Sequence, residues 1–379
     1  MSALSGGGDA YLLYHSIGHY PDKEADLKNE LAAFSCTWAA YDDRQWTEVL
    51  SRRQRFIDLW ADLIRAPRGT LTTAENVTGA MMSLIGALPA EMLTGKKVLV
   101  AEDGFPSIHF LLSGLASRYG FTLQTVPLRQ GAHWVEDEDI IAEWGEDVAL
   151  ALLTWISSTS SHRSDLTRLV SHGRAMGSLI GVDITQGAGL LPYDVSVPQV
   201  DFAISTSLKW LCGTPGAGIL YVDEALMPRC EPDLRGWFSQ DNPFSWKLDA
   251  FSFAPDARRF DNGTPSTLPA IASLPALEWR MQQDDAAFVA HNRCLATTLC
   301  EGLEAIGLTL ASPREPERRG GSLMVALPET RPASEVVDAL RAQDIYMDFR
   351  GQILRMSPGP ITTEAGVAHT LAALGALIG

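Results

Sequence analysis

The sequence predicts an α/β protein with a mostly parallel sheet, followed by a smaller α+β domain. Between residues 98 and 222, short apolar runs alternate with helical stretches, which is typical of strands buried on both faces of a parallel sheet. After residue 275, shorter strand-like and helical stretches alternate without such long apolar runs. These two patterns indicate a large domain and a separate small one.

The elements can be placed in chain order from their hydrophobic pattern. Two helices are predicted within 24–65, with a polar break at 39–44. Strands are predicted at 98–101, 148–154, 179–182, 201–204 and 218–222, with helices at 107–119 and 165–176. An irregular segment at 227–269 precedes one long helical stretch at 274–304. The C-terminal part alternates between strands at 322–326 and 352–357 and helices at 333–343 and 364–378.

These elements suggest three parts of the chain. We expect an N-terminal segment with helices at residues 1–66, a large ligand-binding domain at 67–275 and a small C-terminal domain at 276–379. The chain has 379 residues, of which 46% are hydrophobic, enough for a large buried core.

Charge and cysteine content exclude several classes of function. The formal net charge of -16 repels the phosphate backbone, so nucleic acid is not an expected partner. The five cysteines form no CxxC pair and the histidines show no compact ligand spacing, which argues against a structural metal or a disulfide framework. We identify no signal peptide and no apolar run near the roughly 20 residues of a membrane span. A cytoplasmic enzyme without membrane contact is therefore expected.

Two polar residues follow predicted strands, where ligands bind in open α/β sheets. Asp183 closes one buried strand, and Lys209 follows another, just before the glycine-rich loop at 212–218. A partly desolvated lysine loses its proton easily, and the neutral amine can form a Schiff base. An aspartate beside a pyridine nitrogen keeps it protonated, which pyridoxal phosphate (PLP) chemistry requires. Alone, each residue also suits an ordinary role as a turn residue or a solvated charge.

Further motifs lie in the same order as those of a known family. They are Tyr-Leu with Ser-Ile-Gly at 11–18, Gly-Val-Asp-Ile-Thr-Gln-Gly-Ala-Gly at 181–189, Thr-Ser-Leu-Lys-Trp at 206–210, Gly-Trp-Phe at 236–238, Gly-Thr-Pro at 263–265, Ser-Pro-Arg at 312–314 and Leu-Arg-Met-Ser-Pro at 354–358. Together they resemble the kynureninases of the class V aminotransferase group, which are fold-type-I PLP-dependent enzymes. The resemblance implies a large domain with a mostly parallel seven-stranded sheet and a small C-terminal α+β domain.

The resemblance also implies how PLP is held. Lys209 would carry it as the internal aldimine and shuttle protons, and Asp183 would pair with the ring nitrogen. Phe105 would stack on the ring. The other implied cofactor contacts are the backbone N–H groups of Asn76 and Val77 to the phosphate, the Gln186 amide to the ring oxygen, and Thr206.

Substrate and partner contacts follow from the same resemblance. Arg355 would bind the α-carboxylate of an amino-acid substrate as a bidentate fork, with Ser16 and Trp155 as further substrate-binding residues. Trp237 and Thr264 would reach the phosphate of a neighbouring subunit. The expected assembly is therefore a homodimer with shared active sites.

The chain departs from the kynureninase pattern at two positions and in one segment. Gln186 stands where the family has a histidine, Leu208 where it has a tyrosine, and the segment 154–161 replaces a Thr-His-Val-Asn-Tyr run. An amide cannot titrate near neutral pH and a leucine transfers no proton. We therefore expect a kynureninase-like enzyme that acts on an amino acid with a different side chain, by Cβ–Cγ hydrolysis or β-elimination.

Other functions remain open at this stage. The main alternative is an aminotransferase or decarboxylase of a specialised pathway. A cysteine desulfurase is less favoured, because that group uses a cysteine in the small-domain half and this chain has none after Cys300. A catalytically silent protein of the same fold is the alternative of another class, against which the presence of both Lys209 and Asp183 argues.

Overall fold

A computed structural model describes residues 8–378 of the chain. Its large sheet contains β1 (Leu71–Ala74), β2 (Lys97–Ala101), β3 (Thr122–Val126), β4 (Val148–Thr154), β5 (Leu179–Asp183), β6 (Phe202–Thr206) and β7 (Gly218–Val222). The strand order is β1-β7-β6-β5-β4-β2-β3, and only β7 runs against its neighbours. The predicted seven-stranded, mostly parallel sheet is confirmed.

Both faces of this sheet are buried. In β2, Leu99 packs into one apolar cluster while Val98 and Val100 pack into the cluster on the other face. Such two-sided burial explains the continuous apolar runs of the central strands. The edge strands β1 and β3 were not predicted, because they are short and partly exposed and carry threonines rather than an apolar run.

Helices α1 to α9 precede the second, smaller sheet in the chain, and most of α9 packs against that sheet rather than the large one. They are α1 (Lys23–Trp38), α2 (Gln45–Leu63), α3 (Val77–Ile85), α4 (Ala90–Leu93), α5 (Pro106–Tyr119), α6 (Asp137–Ala142), α7 (Leu166–Met176), α8 (Leu268–Met281) and α9 (Asp285–Ala305). The single helix predicted at 274–304 is wrong, since α8 and α9 are separate. Asp284 accepts a hydrogen bond from the amide of Ala287 at 2.8 Å and so begins a new helix.

The C-terminal part forms a second, four-stranded antiparallel sheet. It contains β8 (Thr309–Leu310), β9 (Leu323–Ala326), β10 (Asp348–Arg350) and β11 (Ile353–Met356), with helices α10 (Ala333–Arg341) and α11 (Glu364–Ile378). Ala10 and Leu12 pack into the apolar core of this part, so the N-terminal residues join it. The exact domain bounds stay a prediction.

The two parts meet near the end of β6. The backbone N–H of Gly18 donates to the Leu208 carbonyl at 2.8 Å. A Cβ atom at residue 18 would lie 1.7 Å from the Lys209 carbonyl oxygen, so only glycine permits this approach. Among residues 8–378, no helix combines the length and apolar character that a membrane span requires.

Candidate active site

A cavity of about 310 Å³ lies at the carboxyl ends of the central strands. Thr154, Asp183 and Thr206 are the last residues of β4, β5 and β6, and all three line it. The other lining residues are Glu75, Asn76, Val77, Phe105, Ile156, Ser158, Thr185, Gln186, Leu208, Lys209, Pro215 and Gly216. Seven of the predicted site residues therefore meet in one place, at the edge of the sheet where such folds bind ligands.

Lys209 extends from the loop after β6 into this cavity. Its Nζ lies 5.5 Å from the centre of the Phe105 ring. Burial lowers the pKa of Lys209 to about 8, while the charge of Asp183 opposes this shift and that of Arg355 adds to it. A considerable fraction of the amine is thus neutral near pH 8, as a Schiff-base lysine requires.

Asp183 is buried at the end of β5. It accepts a hydrogen bond from the backbone N–H of Thr185 at 2.9 Å. No lysine, arginine or histidine within residues 8–378 forms an ion pair with it. Burial raises the pKa of its carboxyl group, and the charge of Lys209 acts in the opposite direction. A buried carboxylate without a paired cation favours a cationic N–H from a ligand.

Helix α3 points its N-terminus at the same cavity. The Asn76 side chain caps it by accepting from the amide of Gly79 at 2.9 Å. The amides of Val77 and Thr78 have no acceptor in the described part of the chain. Free N–H groups at a helix N-terminus bind anions such as phosphate.

Gln186 and Ser16 hold the N-terminal segment against the cavity. The Gln186 Nε2 donates to the His15 carbonyl at 3.1 Å. Ser16 lies in the following turn, where its amide donates to the Leu13 carbonyl at 2.8 Å. Ser16 does not line the cavity, so its predicted contact with substrate stays a prediction.

The structure corrects the prediction for Trp155. Its side chain is buried in the core, with its ring centre 5.0 Å from that of Tyr193. Because side chains alternate along an extended chain, Thr154 and Ile156 face the cavity and Trp155 points the opposite way. Ile156 and Ser158 are the residues of this segment that line the pocket.

Arg355 lies on β11, buried, with most of its guanidinium engaged. Its Nε and Nη2 donate to the two Asp348 oxygens at 2.8 and 2.6 Å, and Nη1 donates to the Ser158 carbonyl at 3.0 Å. Three of its five N–H groups are thus occupied, and two remain for a ligand. The predicted carboxylate contact stays a prediction, and it cannot use the edge that Asp348 fills.

His15 and Asp348 were missed by the sequence reasoning. His15 is buried, and its Nε2 lies 2.8 Å from Asp348 Oδ1. Burial lowers the pKa of His15 to about 4. The two residues are 333 positions apart. The only available signal was the position of His15 beside the Ser-Ile-Gly motif.

Trp237 and Thr264 do not line this cavity. Trp237 packs edge-on against Phe238, with ring centres 4.6 Å apart. Thr264 lines a wider cleft of about 870 Å³, which shares Glu75 and Gly216 with the cavity. Their predicted role in a neighbouring subunit stays a prediction.

Comparison with known proteins finds a matching family, similar sequences and similar solved structures. The aminotransferase class-V family matches residues 58–370. A kynureninase of Deinococcus radiodurans is 28% identical over 98% of this chain and 90% of the relative. A kynureninase of Bacillus anthracis is 30% identical over 90% of this chain and 82% of the relative. The solved structure of a C-DES mutant, with glycine covalently linked to the PLP cofactor, has a TM-score of 0.86 at 18% identity and covers 97% of both chains.

Proposed function

Because the chain belongs to the aminotransferase class-V family and is a PLP-dependent enzyme acting on an amino acid, we propose that it cleaves a bond in the side chain of its substrate. The reaction is either hydrolysis between Cβ and Cγ or β-elimination. The observation that carries this proposal is the meeting of Lys209, Asp183 and Phe105 in one cavity, in a chain whose relatives include kynureninases.

The residues of the cavity fit PLP. Asp183 offers a buried carboxylate to a pyridinium N–H, and helix α3 offers unpaired amides to a phosphate. Phe105 offers an apolar face 5.5 Å from the Lys209 amine. When bound, PLP supplies an electron sink that stabilises negative charge at the substrate Cα.

Lys209 is the residue that moves protons in this site. Among the residues that line the cavity, only Glu75, Asp183 and Lys209 have ionisable side chains. Glu75 is exposed, and Asp183 is committed to the ring nitrogen. Lys209 therefore removes the proton at Cα and returns it to the product. With a single internal base, a leaving group that departs without protonation is favoured, which supports β-elimination over hydrolysis.

An aminotransferase is the second candidate. Transamination needs one base that moves a proton between Cα and the adjacent cofactor carbon, which Lys209 alone can supply. The observation that favours it is the same shortage of titratable groups, since Gln186 and Leu208 transfer no proton.

We expect a homodimer that completes the site. The side chains of Phe244, Trp246 and Leu248 are largely exposed, and the Phe244 ring centre lies 6.5 Å from that of Trp237. Exposed apolar patches of this kind mark protein interfaces. In this arrangement Trp237 and Thr264 contact the phosphate bound by the partner.

The test is an absorbance titration with product analysis. Wild type is compared with Lys209→Ala, and both are titrated with a panel of amino acids that includes L-kynurenine. A visible band that requires Lys209 and shifts with one amino acid supports the proposal. Pyruvate then identifies β-elimination, alanine identifies Cβ–Cγ hydrolysis, and a keto acid retaining the whole side chain identifies transamination. Absence of a band after PLP addition contradicts all three.

A further inference from the structure

A continuous series of polar groups lies behind Arg355. Arg355 donates to both oxygens of Asp348. Asp348 Oδ1 also lies 2.8 Å from His15 Nε2, and His15 Nδ1 lies 2.6 Å from Ser357 Oγ. Ser357 Oγ lies 2.5 Å from Ser322 Oγ. The series joins the N-terminal segment to β10, which contains Asp348, and to β11, which contains Arg355.

The proton positions in this series follow from its chemistry. Hydrogen bonds from His15 and Arg355 outweigh the effect of burial and hold the pKa of Asp348 well below its usual range, so Asp348 is an acceptor only. Burial lowers the pKa of His15 to about 4, so its ring is neutral and has one N–H. That N–H must be at Nε2, facing Asp348. His15 Nδ1 then accepts from Ser357, whose oxygen accepts from Ser322.

We propose that His15 is a positioning residue for binding the substrate carboxylate, an inference that rests on the proposed role of Arg355. His15 fixes one oxygen of Asp348, and Asp348 fills the Nε–Nη2 edge of the Arg355 guanidinium. The guanidinium is thereby held in one plane, with its two remaining N–H groups as the only donors for a carboxylate.

The surroundings explain why this support is needed. The Asp348 side chain is 25% exposed, so without His15 it could rotate towards water or towards Arg350, whose Nη1 lies 3.5 Å from Asp348 Oδ2. His15 itself is held on both sides, since its carbonyl accepts from Gln186 in the cavity wall. His15 thus couples the substrate-binding arginine to the wall of the cofactor cavity.

The experiment compares two ligands that differ only in the carboxylate. Holoenzyme is titrated with L-alanine and with L-alaninamide, and the dissociation constants are read from the cofactor absorbance. His15→Phe should weaken L-alanine binding by about tenfold, because a hydrogen bond to a charged group is lost. Binding of L-alaninamide should change less than about twofold.

The matched control is His162→Phe. His162 is another buried histidine, but it stacks on Trp134 and lies outside the series. It should leave the ratio of the two dissociation constants unchanged. Equal weakening of both ligands by His15→Phe, or no weakening, would overturn the proposal. If His15→Phe does not fold, Asp348→Asn gives the same readout, with the same contradicting result.

Two further measurements separate this inference from the proposed function. If Arg355→Gln does not weaken L-alanine relative to L-alaninamide, the carboxylate role of Arg355 fails. If Arg355→Gln does so but His15→Phe does not, only the role of His15 fails.

Nitrogen-15 NMR of the cofactor-free protein provides an independent readout. The Nε2–H form of His15 is expected, and an Nδ1–H form would contradict the proposal.

Discussion

Two sets of residues differ in how the chain builds them: the cofactor side, which lines the cavity, and the predicted substrate side, in which Arg355 contacts the cavity wall at Ser158. On the cofactor side, Asp183 and Thr206 end the adjacent parallel strands β5 and β6, and Lys209 follows β6 within a short stretch of sequence. On the substrate side, His15, Asp348 and Arg355 come from opposite ends of the chain. The sheet topology fixes the first set, whereas the second set depends on docking of the N-terminal segment onto the small sheet. The cofactor side is therefore the more rigidly specified of the two, and substitutions there should have the larger effects.

Replacing Lys209 should have the largest effect. Lys209 is the proposed base among the residues that line the cavity, so for Lys209→Ala we expect the rate of Cα deprotonation to fall by about 1,000-fold or more. Exchange of the substrate Cα proton for deuterium, followed by NMR, measures this step whatever the later reaction is. Lys209→Arg is the control for charge and size. Exchange at the wild-type rate in either variant would show that another residue is the base.

Asp183→Asn should have the next largest effect. If Asp183 stabilises the protonated ring nitrogen as proposed, we expect loss of its carboxylate to decrease the same exchange rate by about 100-fold. Thr206→Ser is the comparison, since it changes the neighbouring strand end without removing a charge. A decrease below about threefold for Asp183→Asn would contradict the role given to Asp183.

The pH dependence of cofactor binding tests the environment of Lys209 on the cofactor side. An amine reacts with an aldehyde only in its neutral form, so if Lys209 binds PLP, the rate of PLP addition to the cofactor-free protein should rise with pH with a midpoint near 8. The Asp183 charge favours the protonated amine, so Asp183→Asn should shift this midpoint to lower pH. Stopped-flow absorbance measures both curves. A midpoint near that of an ordinary lysine would contradict the desolvated environment.

Restoring the family tyrosine tests whether a missing proton donor determines which reaction the site performs. Leu208 lines the cavity, so Leu208→Tyr places a phenol beside Lys209. If the missing proton donor limits hydrolysis of L-kynurenine, we expect formation of alanine to rise by about tenfold. Leu208→Phe controls for the added ring. An equal rise in the phenylalanine variant would assign the effect to packing.

Replacing Trp155 should have the smallest effect on substrate binding. Since it packs on Tyr193 in the core, Trp155→Ala should lower the free energy of unfolding by about 3–5 kcal/mol. The ratio of the L-alanine and L-alaninamide dissociation constants should stay unchanged. Denaturant unfolding and the absorbance titration test these statements. A changed ratio of dissociation constants with an unchanged free energy of unfolding would show that Trp155 contacts the substrate.

The same contrast explains what the sequence could predict. The central strands and the residues that follow them carry local signals, namely continuous apolar runs and polar residues at strand ends. The break between α8 and α9 was not predicted, because its signal is the single N-cap residue Asp284 within a long helical pattern. The direction in which the Trp155 side chain points could be predicted only from the exact residue at which β4 ends. The contact between His15 and Asp348 crosses 333 positions, and no local pattern reports a contact of that kind.

The identity of the lysine that binds PLP tests the central claim most directly. Holoenzyme is treated with borohydride, which reduces the bond between cofactor and lysine, and the digested protein is mapped by mass spectrometry. The account predicts a pyridoxyl group on the peptide that contains Lys209 and on no other. A pyridoxyl group on a different lysine, or on none after saturation with PLP, would contradict it.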